Sequence, residues 1–453
     1  MDLEDNEISE EDFLRMHDRQ WNNASNYRNA SEIMNPILTV ENPYKKRRED
    51  AAHLNFKPLE LNLHCGKTQK SKFSFPQCLS YRENGMTSQS NFNSQILKLK
   101  MRQLKWVSMS QIDFSDYVNC YYVTGFKRNI IGAWTYHEYS ATLLESVSFQ
   151  YKKLDSKSNN VETSISQVSY THIATLPSYK VFDMCGLTSG NQDYVLYVAN
   201  SYSRHKNMAY LARAGVNNGG EAPRDDIVRR FEHQDILWSC SWNDNKKRFA
   251  IGADRCFYLH DYQSFSKKIE LSKGQPYSLD FNSDGNILYC GLHQGDLVCY
   301  DLRTEAVPAM TIPLCTNISY IKLMSHERNV VASGFNSVLL NVDLRAKKEV
   351  FQYPHHYSLY KKLTFSFNES ANILCAPGED NITRLWSLSD GELLHSLPLP
   401  NAQDYCGQIN SLFEADDRRI FVHILLGDTI HTFESLEDCK NIQPVALSAR
   451  LRS

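Results

Sequence analysis

Residues 301–303 and 343–345 both read Asp-Leu-Arg, and each triplet follows a short apolar run. The second triplet lies 42 residues after the first. A guanidinium is a rigid fork of hydrogen-bond donors, which suits carboxylates and backbone carbonyls of another protein. The alternative is an internal pair, in which the aspartate accepts turn amides and holds the arginine at the strand end. The spacing therefore raises the question of what positions the two triplets.

The spacing of the triplets equals one unit of a longer repeat. Five units each begin with an apolar strand, and these strands end at Trp242, Phe281, Leu323, Phe365 and Phe413, 39 to 48 residues apart. A period of about 40–45 residues is typical of a four-stranded propeller blade. Two degenerate units precede them, over residues 117–138 and 181–200. We therefore predict an all-β, seven-bladed propeller, a closed ring without free sheet edges.

The organisation of the chain follows from where the repeat begins. The predicted segments are an N-terminal extension over 1–90 that is partly disordered or helical, a propeller over 91–453, less regular blades over 91–230, regular blades over 235–451, and a long loop insertion over 201–226. The polar, acidic start favours disorder in part of the extension. Residues 93–106 have near-helical spacing and fit either a helix that leads into the first blade or its first strand.

The composition limits the kinds of partner. The chain has 453 residues, 42% hydrophobic and 22% charged, with a net charge of -3, so no overall charge attracts nucleic acid or an anionic membrane. The longest apolar run, residues 420–426, is too short to cross a bilayer. The acidic N-terminus has no apolar core of a secretory signal. We expect no membrane partner, no direct contact with nucleic acid, and a nuclear or cytoplasmic location or both.

Residues 45–48, Lys-Lys-Arg-Arg, form the one basic run of the extension. It fits a nuclear-import signal or a phosphate-binding patch, and equally a solvated linker.

Motifs of known chemistry are absent from the sequence. It contains no phosphate-cradling glycine loop, no nucleophile elbow and no His-Glu-x-x-His. Its 12 cysteines lack zinc-type spacing, and we expect them to be reduced core residues. The adjacent His355 and His356 are predicted to be solvated turn residues. The sequence therefore predicts no catalytic residue, no metal and no cofactor, and a protein that is not an enzyme.

The triplets and their surroundings resemble a known family. "YDLR" at 300–303 and "VDLR" at 342–345 are similar to the Trp-Asp-x-Arg boxes of WD-repeat substrate receptors of the cullin-4 ubiquitin ligase. "LWSCSW" at 237–242 and the stretch 378–400 also resemble members of that family. The resemblance covers residues 235–400 well and 90–235 loosely.

The resemblance implies a WD-repeat propeller that acts as a non-catalytic receptor. Such a receptor would dock the damaged-DNA-binding adaptor of the ligase, reach cullin-4 indirectly, and recruit a substrate protein whose identity is unknown. The residues that it assigns to adaptor binding are Tyr300, Asp301, Arg303, Asp343 and Arg345. An apolar stripe with Leu14 and Trp21 fits an N-terminal helix that adds to adaptor binding, or a disordered tail.

The boxes depart from the family pattern in three places. Tyr300 stands where the box has tryptophan, and Val342 has no aromatic ring at all. The sixth unit keeps Trp386, but Ser387 and Ser389 replace its acid and its arginine, so it is not a box. The adaptor assignment therefore depends mainly on Arg303, with Arg345 as support.

The alternative is a WD-repeat scaffold of another intracellular complex. In that case the Asp–Arg pairs are purely structural, and the arginines need no partner. An enzyme built on a propeller is a third class of function, for which the sequence shows no site.

Overall fold

The structure is a computed structural model, and the residues that it describes belong to one compact unit, Ser90–Ser453. The described residues are 95, 97–102, 104–111, 118–126, 129–136, 141–151, 165–189, 192–201, 206–214, 227–261, 266–304, 308–314, 317–399, 409–415, 419–427 and 429–436. They form seven antiparallel sheets of four strands each. The prediction of an all-β, seven-bladed propeller is therefore confirmed.

The strands are numbered in chain order. They are β1 (Lys105–Gln111), β2 (Val118–Phe126), β3 (Asn129–Tyr136), β4 (Ala141–Tyr151), β5 (Ile165–Pro177), β6 (Tyr179–Ser189), β7 (Gln192–Ser201), β8 (Asn207–Arg213), β9 (Ile227–His233), β10 (Leu237–Asn243), β11 (Arg248–Ala253), β12 (Cys256–Asp261), β13 (Ser266–Glu270) and β14 (Pro276–Phe281). The second half comprises β15 (Ile287–Leu292), β16 (Asp296–Asp301), β17 (Pro308–Pro313), β18 (Tyr320–Leu323), β19 (Asn329–Gly334), β20 (Val338–Asp343), β21 (Lys348–Gln352), β22 (Ser366–Asn368), β23 (Ile373–Pro377), β24 (Ile382–Ser387), β25 (Leu393–Pro398), β26 (Ile409–Ala415), β27 (Arg419–Leu426) and β28 (Thr429–Leu436).

Blades 1 to 6 take consecutive strands in order, from β2–β5 to β22–β25. The first strands of six of the seven pairs of neighbouring blades are shown in contact, including β2 with β26, so the first strands surround the axis of the ring. Because the strands are antiparallel, the turns between first and second strands and between third and fourth strands lie on one side of the ring. We call this side the lower face, and the side with the other connections the upper face.

The seventh blade joins the two ends of the described chain. Its order is β26, β27, β28 and β1, with Trp106 opposite Phe433 in the pairing of β1 with β28. The prediction for residues 93–106 is therefore corrected: residues 97–101 are helical, and the strand that follows is the outermost strand of the last blade. This pairing closes the ring and leaves no unpaired strand between the last blade and the first.

The prediction of a loop insertion over residues 201–226 is wrong for its central part. Residues Asn207–Arg213 form β8, the third strand of blade 2. Five consecutive residues of β8 are buried, because a third strand packs on both sides inside a propeller. The glycines at 219–220 and Pro223 lie outside the described residues.

The cores of the protein lie between neighbouring blades. Between blades 3 and 4, buried side chains of both sheets meet, among them Phe257, Leu259, Leu279 and Leu288. The middle strands are buried on both faces, and the outermost strands are not: β15 is nearly all buried, whereas four of the six residues of β17 are exposed. Each fully buried side chain of this size contributes about 1.5–3 kcal/mol. Burial by neighbours therefore holds each blade in place.

Hydrogen bonds also join the first strands of adjacent blades. The amide of Cys240 in blade 3 donates to Asp183 Oδ2 in blade 2 at 3.1 Å. The amide of Leu323 in blade 5 donates to Asp280 Oδ2 in blade 4 at 2.6 Å. Burial raises the pKa of Asp280 to about 6. These bonds fix the angular position of one blade relative to the next.

The two adjacent histidines differ in their surroundings. His355 is exposed with a φ of 65°, but His356 is 5% exposed and lies 6.2 Å from the ring of Trp386. The prediction that both are solvated is therefore wrong for His356. His355 lies in a turn that faces solvent, whereas the next residue packs against the Trp386 ring.

Several sequence predictions concern parts of the chain outside the described residues. These are the extension over 1–90, the basic run at 45–48, and the stripe of Leu14 and Trp21. The predicted domain bounds stay predictions. Among the described residues, no helix is long and apolar enough to span a membrane.

Candidate protein-docking site

The two Asp-Leu-Arg triplets lie in equivalent turns on neighbouring blades. Asp301 ends β16 opposite Ile287, and Asp343 ends β20 opposite Asn329. The next residue in each turn donates its amide to the connection between the first two strands, Leu302 to Asn286 O at 2.8 Å and Leu344 to Arg328 O at 2.9 Å. Both turns join a third strand to a fourth, so both arginines lie on the lower face.

In the first turn, the arginine is paired with the aspartate of its own triplet. Arg303 Nε lies 2.9 Å from Asp301 Oδ1, and Nη2 lies 2.7 Å from Oδ2. The amide of Arg303 also donates to Oδ1 at 3.0 Å. The hydrogen bonds from Arg303 lower the pKa of Asp301 to about 2. The pair is on the surface, with the Arg303 side chain 65% exposed, so further donors of the guanidinium face solvent.

In the second turn, the aspartate is satisfied by the backbone alone. Asp343 Oδ1 accepts the amide of Arg345 at 2.8 Å and that of Ala346 at 2.9 Å. These backbone hydrogen bonds lower the pKa of Asp343. Arg345 is exposed, and among the described residues its guanidinium has no hydrogen-bond partner or ion pair. The two triplets therefore have the same hydrogen bond from the arginine amide to the aspartate, but their arginine side chains differ in conformation.

The residue before each triplet belongs to the core and not to the docking surface. Tyr300 is 2% exposed, and its ring contacts Phe257 edge-on at 5.2 Å. The corresponding residues Val342 and Trp386 are fully buried. The assignment of Tyr300 to partner binding is therefore corrected, since its ring cannot reach a partner. The same burial explains why the aliphatic Val342 fits where other blades carry an aromatic ring.

Two glutamates of the lower face accept hydrogen bonds from the turn of the preceding blade. Glu327 of blade 5 accepts the amide of Ser283 in blade 4 at 2.7 Å. Glu369 of blade 6 accepts the amide and the hydroxyl of Ser325 in blade 5, both at 2.6 Å. Each carboxylate therefore links its turn to the turn of the preceding blade. These bonds hold the lower face of blades 4 to 6 as one rigid surface.

Cations of the same face are directed to solvent. The exposed basic residues of blade 5 are Arg328, Arg345, Lys347 and Lys348. They lie in the two lower-face connections of that blade, with Lys348 at the start of β21 opposite Asp343. Of these, only Arg345 was predicted from the sequence. The basic residues of the runs "SHERN" and "RAKKE" could have indicated Arg328, Lys347 and Lys348. The lower face of blade 5 is thus electropositive and suited to an acidic surface.

The corresponding turn of blade 6 lacks charged groups at the two box positions. Asn372 Nδ2 donates to Ser387 Oγ at 3.2 Å and to Ser389 Oγ at 3.0 Å. Neutral hydroxyls thus replace the acid and the arginine, as the sequence indicated. Among the turns that the structure describes between a third and a fourth strand, only those of blades 4 and 5 contain an Asp-Leu-Arg triplet.

The described residues contain no group of His, Cys, Asp and Glu side chains that could hold a metal ion. Six cysteines in this part are free thiols, five of them buried. Burial raises the pKa of the Cys375 thiol to about 12, so it is protonated at neutral pH. These thiols act as small core residues.

The chain matches known proteins over this part of the propeller. Residues 145–412 match the family model described as the DDB1- and CUL4-associated factor 4 beta-propeller domain. DDB1- and CUL4-associated factor 4 of Homo sapiens is 29% identical over 179 residues, which cover 36% of this chain and 34% of that protein. The protein of the same name from Bos taurus is 27% identical over 170 residues, which cover 36% and 34%.

A longer match is to DDB1- and CUL4-associated factor 4-like protein 2 of Homo sapiens, 26% identical over 248 residues, which cover 50% of this chain and 59% of that protein. The chain thus spans about a third of the length of the first two relatives. The family model, in contrast, matches more than half of the chain and both Asp-Leu-Arg turns. The chain is a member of the DDB1- and CUL4-associated factor 4 beta-propeller family.

Proposed function

We propose that this protein is a substrate receptor of a cullin-4 ubiquitin ligase, which docks a DDB1-type adaptor through the lower face of blades 4 and 5. Arg303 and Arg345 supply the guanidinium groups, and a second surface holds the substrate protein. The receptor brings the substrate close to the transferring subunits, so its contribution is proximity and not covalent chemistry. For this role we expect the protein in the nucleus, in the cytoplasm or in both.

One observation carries the proposal. Arg303 and Arg345 lie at equivalent positions of adjacent blades, on one face, and both are exposed. The aspartates of the two triplets accept hydrogen bonds from amides or from Arg303, and Glu327 is bound to Ser283, whereas Asp284 adds one exposed carboxylate near Arg303. Because the Arg345 guanidinium is exposed and the Arg303 guanidinium keeps donors toward solvent, this face favours an acidic partner surface.

The family supports the coarser part of this proposal. The family model and the human relative are named as a factor associated with DDB1 and CUL4. These names describe an association with other proteins and no chemical reaction. This naming supports the prediction that the chain is not an enzyme. The contact residues and the identity of the substrate belong to the proposal alone.

The test is a pull-down of purified DDB1 and cullin-4 with the full chain. We expect the double variant Arg303→Ala, Arg345→Ala to lose most of the adaptor, because two exposed donor groups leave the interface. The matched control is Arg255→Ala, since Arg255 is an exposed arginine in an upper-face turn of blade 3. Circular dichroism and the melting temperature establish that all variants keep the fold.

Unchanged recovery of the adaptor by the folded double variant would overturn the docking proposal. The bidentate Asp301–Arg303 pair would then be a structural element of the turn. In that case the chain is better described as a scaffold of another complex. Equal loss with Arg255→Ala would point to a general effect of surface charge.

A further inference from the structure

A long connection on the upper face displays two exposed tyrosine rings. Residues 353–365 join β21 of blade 5 to β22 of blade 6 and contain no strand or helix. The corresponding connections that follow blades 2 and 3, residues 234–236 and 271–275, are much shorter. Connections of this length without secondary structure are uncommon in compact domains, and an ordered one is usually functional. We call residues 353–365 the blade 5–6 loop.

Tyr357 and Tyr360 are the exposed aromatic residues of this loop. Their relative exposures are 40% and 47%. Among the residues that the structure describes, the one other Tyr, Phe or Trp side chain of comparable exposure is Trp106, at 54%. Trp106 lies far from the loop in sequence, on the outermost strand of the seventh blade. Two exposed rings three residues apart in one loop therefore distinguish this part of the upper face.

One carboxylate of blade 6 holds the loop in shape. Glu379 lies in the turn between β23 and β24, and its Oε1 accepts three consecutive amides, those of residues 359–361, each at 2.7 Å. The amide of Glu379 donates to Tyr357 O at 2.8 Å. The backbone at both tyrosines is therefore fixed by a single residue.

Contacts with three further blades anchor the loop. The amide of Ser337 in blade 5 donates to Ser358 O. The buried Lys362 reaches across the ring, where its Nζ donates to Trp238 O of blade 3 at 3.1 Å and lies 3.4 Å from Asp183 Oδ2 of blade 2. Since the backbone is held on both sides of the tyrosines, a partner that binds there loses little affinity to ordering of the loop.

The charges in and beside the loop balance. Asp380, next to Glu379, forms an ion pair with Arg384, and Lys362 is paired across the axis. The negative charge of Glu379 is matched by that of the half-buried Lys361. The surface around the two rings therefore carries no net charge, and it favours a partner segment that is uncharged as well.

We propose that Tyr357 and Tyr360 are the docking site for an uncharged, proline-rich segment of a partner protein. Such a segment is already extended as a polyproline II helix, presents apolar pyrrolidine rings, and has few amides that need a partner. Tyrosine rings on a rigid backbone are suited to pack against it. Because the adaptor is assigned to the opposite face, the segment belongs to the substrate, so the inference rests on the proposed function.

The probe is acetyl-octaproline-amide, titrated into the full chain and followed by ligand-observed saturation-transfer NMR. A Gly-Ser peptide of the same length is neutral but flexible, and we expect it to bind roughly tenfold more weakly. The double variant Tyr357→Ala, Tyr360→Ala should weaken octaproline binding by a similar factor, because both ring faces are lost. The double variant Tyr357→Phe, Tyr360→Phe keeps both rings and should bind as the wild type does.

The matched control is Trp106→Ala, which removes a comparably exposed ring from the outermost strand of the seventh blade. It should leave octaproline binding unchanged, and an equal loss would show unspecific packing on exposed rings and end the inference. Equal binding of the two peptides, full binding by the folded alanine variant, or no binding of octaproline at about 10 mM would also end it. Melting temperatures establish that the variants keep the fold.

Sedimentation velocity tests a second copy of this chain as the occupant of the tyrosine pair. We expect the wild type and the double alanine variant to sediment alike. A dimer of the wild type that the alanine variant does not form would assign the two rings to self-association and contradict the proposal.

The adaptor pull-down separates this inference from the proposed function. The double alanine variant of the tyrosines should recover DDB1 normally, and the double variant at residues 303 and 345 should still bind octaproline. If the wild type recovers DDB1 but does not bind octaproline, the tyrosine site fails and the docking face stands. If the variant at 303 and 345 recovers DDB1 in full, and only the tyrosine variant loses the peptide, the loop is a peptide site of a different complex.

Discussion

Lys362 and Asp183 form a buried ion pair across the axis of the ring, with Lys362 Nζ 3.4 Å from Asp183 Oδ2. Asp183 lies on the first strand of blade 2, and Lys362 precedes the first strand of blade 6, so the pair joins blades that are not neighbours. Lys362 Nζ also donates to Trp238 O in blade 3 at 3.1 Å. Burial nevertheless raises the pKa of Asp183, since desolvation outweighs the attraction of Lys362.

Removing one partner of this pair should destabilise the propeller. We expect Lys362→Met to lower the free energy of unfolding by about 3 kcal/mol, because it leaves the buried Asp183 carboxylate without its cation. Chemical denaturation followed by tryptophan fluorescence measures the change. The double variant Asp183→Asn, Lys362→Met should recover part of the loss, and a single variant as stable as the wild type would contradict the prediction.

The residue before the first triplet should act on stability and not on docking. We expect Tyr300→Ala to lower the free energy of unfolding by about 3 kcal/mol, because it empties space between blades 3 and 4. Tyr300→Phe keeps the ring and should bind the adaptor as the wild type does. Adaptor binding that falls with Tyr300→Phe, at unchanged stability, would show that the hydroxyl contacts the partner after all.

The two arginines should contribute unequally to adaptor binding. Arg345→Ala is expected to weaken binding roughly tenfold, since its guanidinium has its donors available. Arg303→Ala should weaken it less, because Arg303 already donates twice to Asp301. Surface plasmon resonance with each single variant measures the ranking. A larger effect of Arg303→Ala would indicate that the Asp301 pair orients its guanidinium for the partner.

Buried histidines should make the fold sensitive to acid. Burial lowers the pKa of His233, His260 and His356 to about 4 and that of His423 to about 3. In the unfolded chain these groups take up protons below about pH 6.5, and in the folded chain they do not until the lower values. The free energy of unfolding should therefore fall as the pH falls from about 6.5 to 4. Thermal melts across this range measure the slope.

One buried histidine can be tested singly. His356→Gln should reduce the acid dependence of the free energy of unfolding by about one proton, because burial lowers the pKa of His356. Asp280 acts in the opposite direction: its pKa of about 6 in the fold favours proton uptake by the folded state. A flat stability profile down to pH 5 would contradict the burial of these imidazoles.

The repeat itself was readable from sequence because it depends on local patterns. Apolar strands alternate with turn residues at a period set by the blade, and Gly285 in the turn between β14 and β15 has a φ of 67°. A spacing of one blade therefore predicts equivalent turns for the two Asp-Leu-Arg triplets. The aspartate bonds to turn amides are local as well, and the structure has them at residues 301 and 343.

Pairings between distant segments were decided by the tertiary structure alone. The closing of the ring by β1 depends on β28, which lies more than 300 residues later in the chain. Likewise β8 looks like part of a polar insertion until blade 2 buries it on both sides. No short pattern records which distant strand will supply a hydrogen-bond partner, so sequence reasoning misassigned both segments.

Sequence by itself determined the number of blades and the equivalence of the two turns, because both follow from periodicity and residue type, while the family was indicated by the resemblance of its motifs. Only the tertiary structure decided which side chains reach solvent: Tyr300 lies in the core, Arg303 is paired, and Arg345 is available. The physical reason is that side-chain direction and burial depend on neighbouring blades, which a linear pattern does not specify.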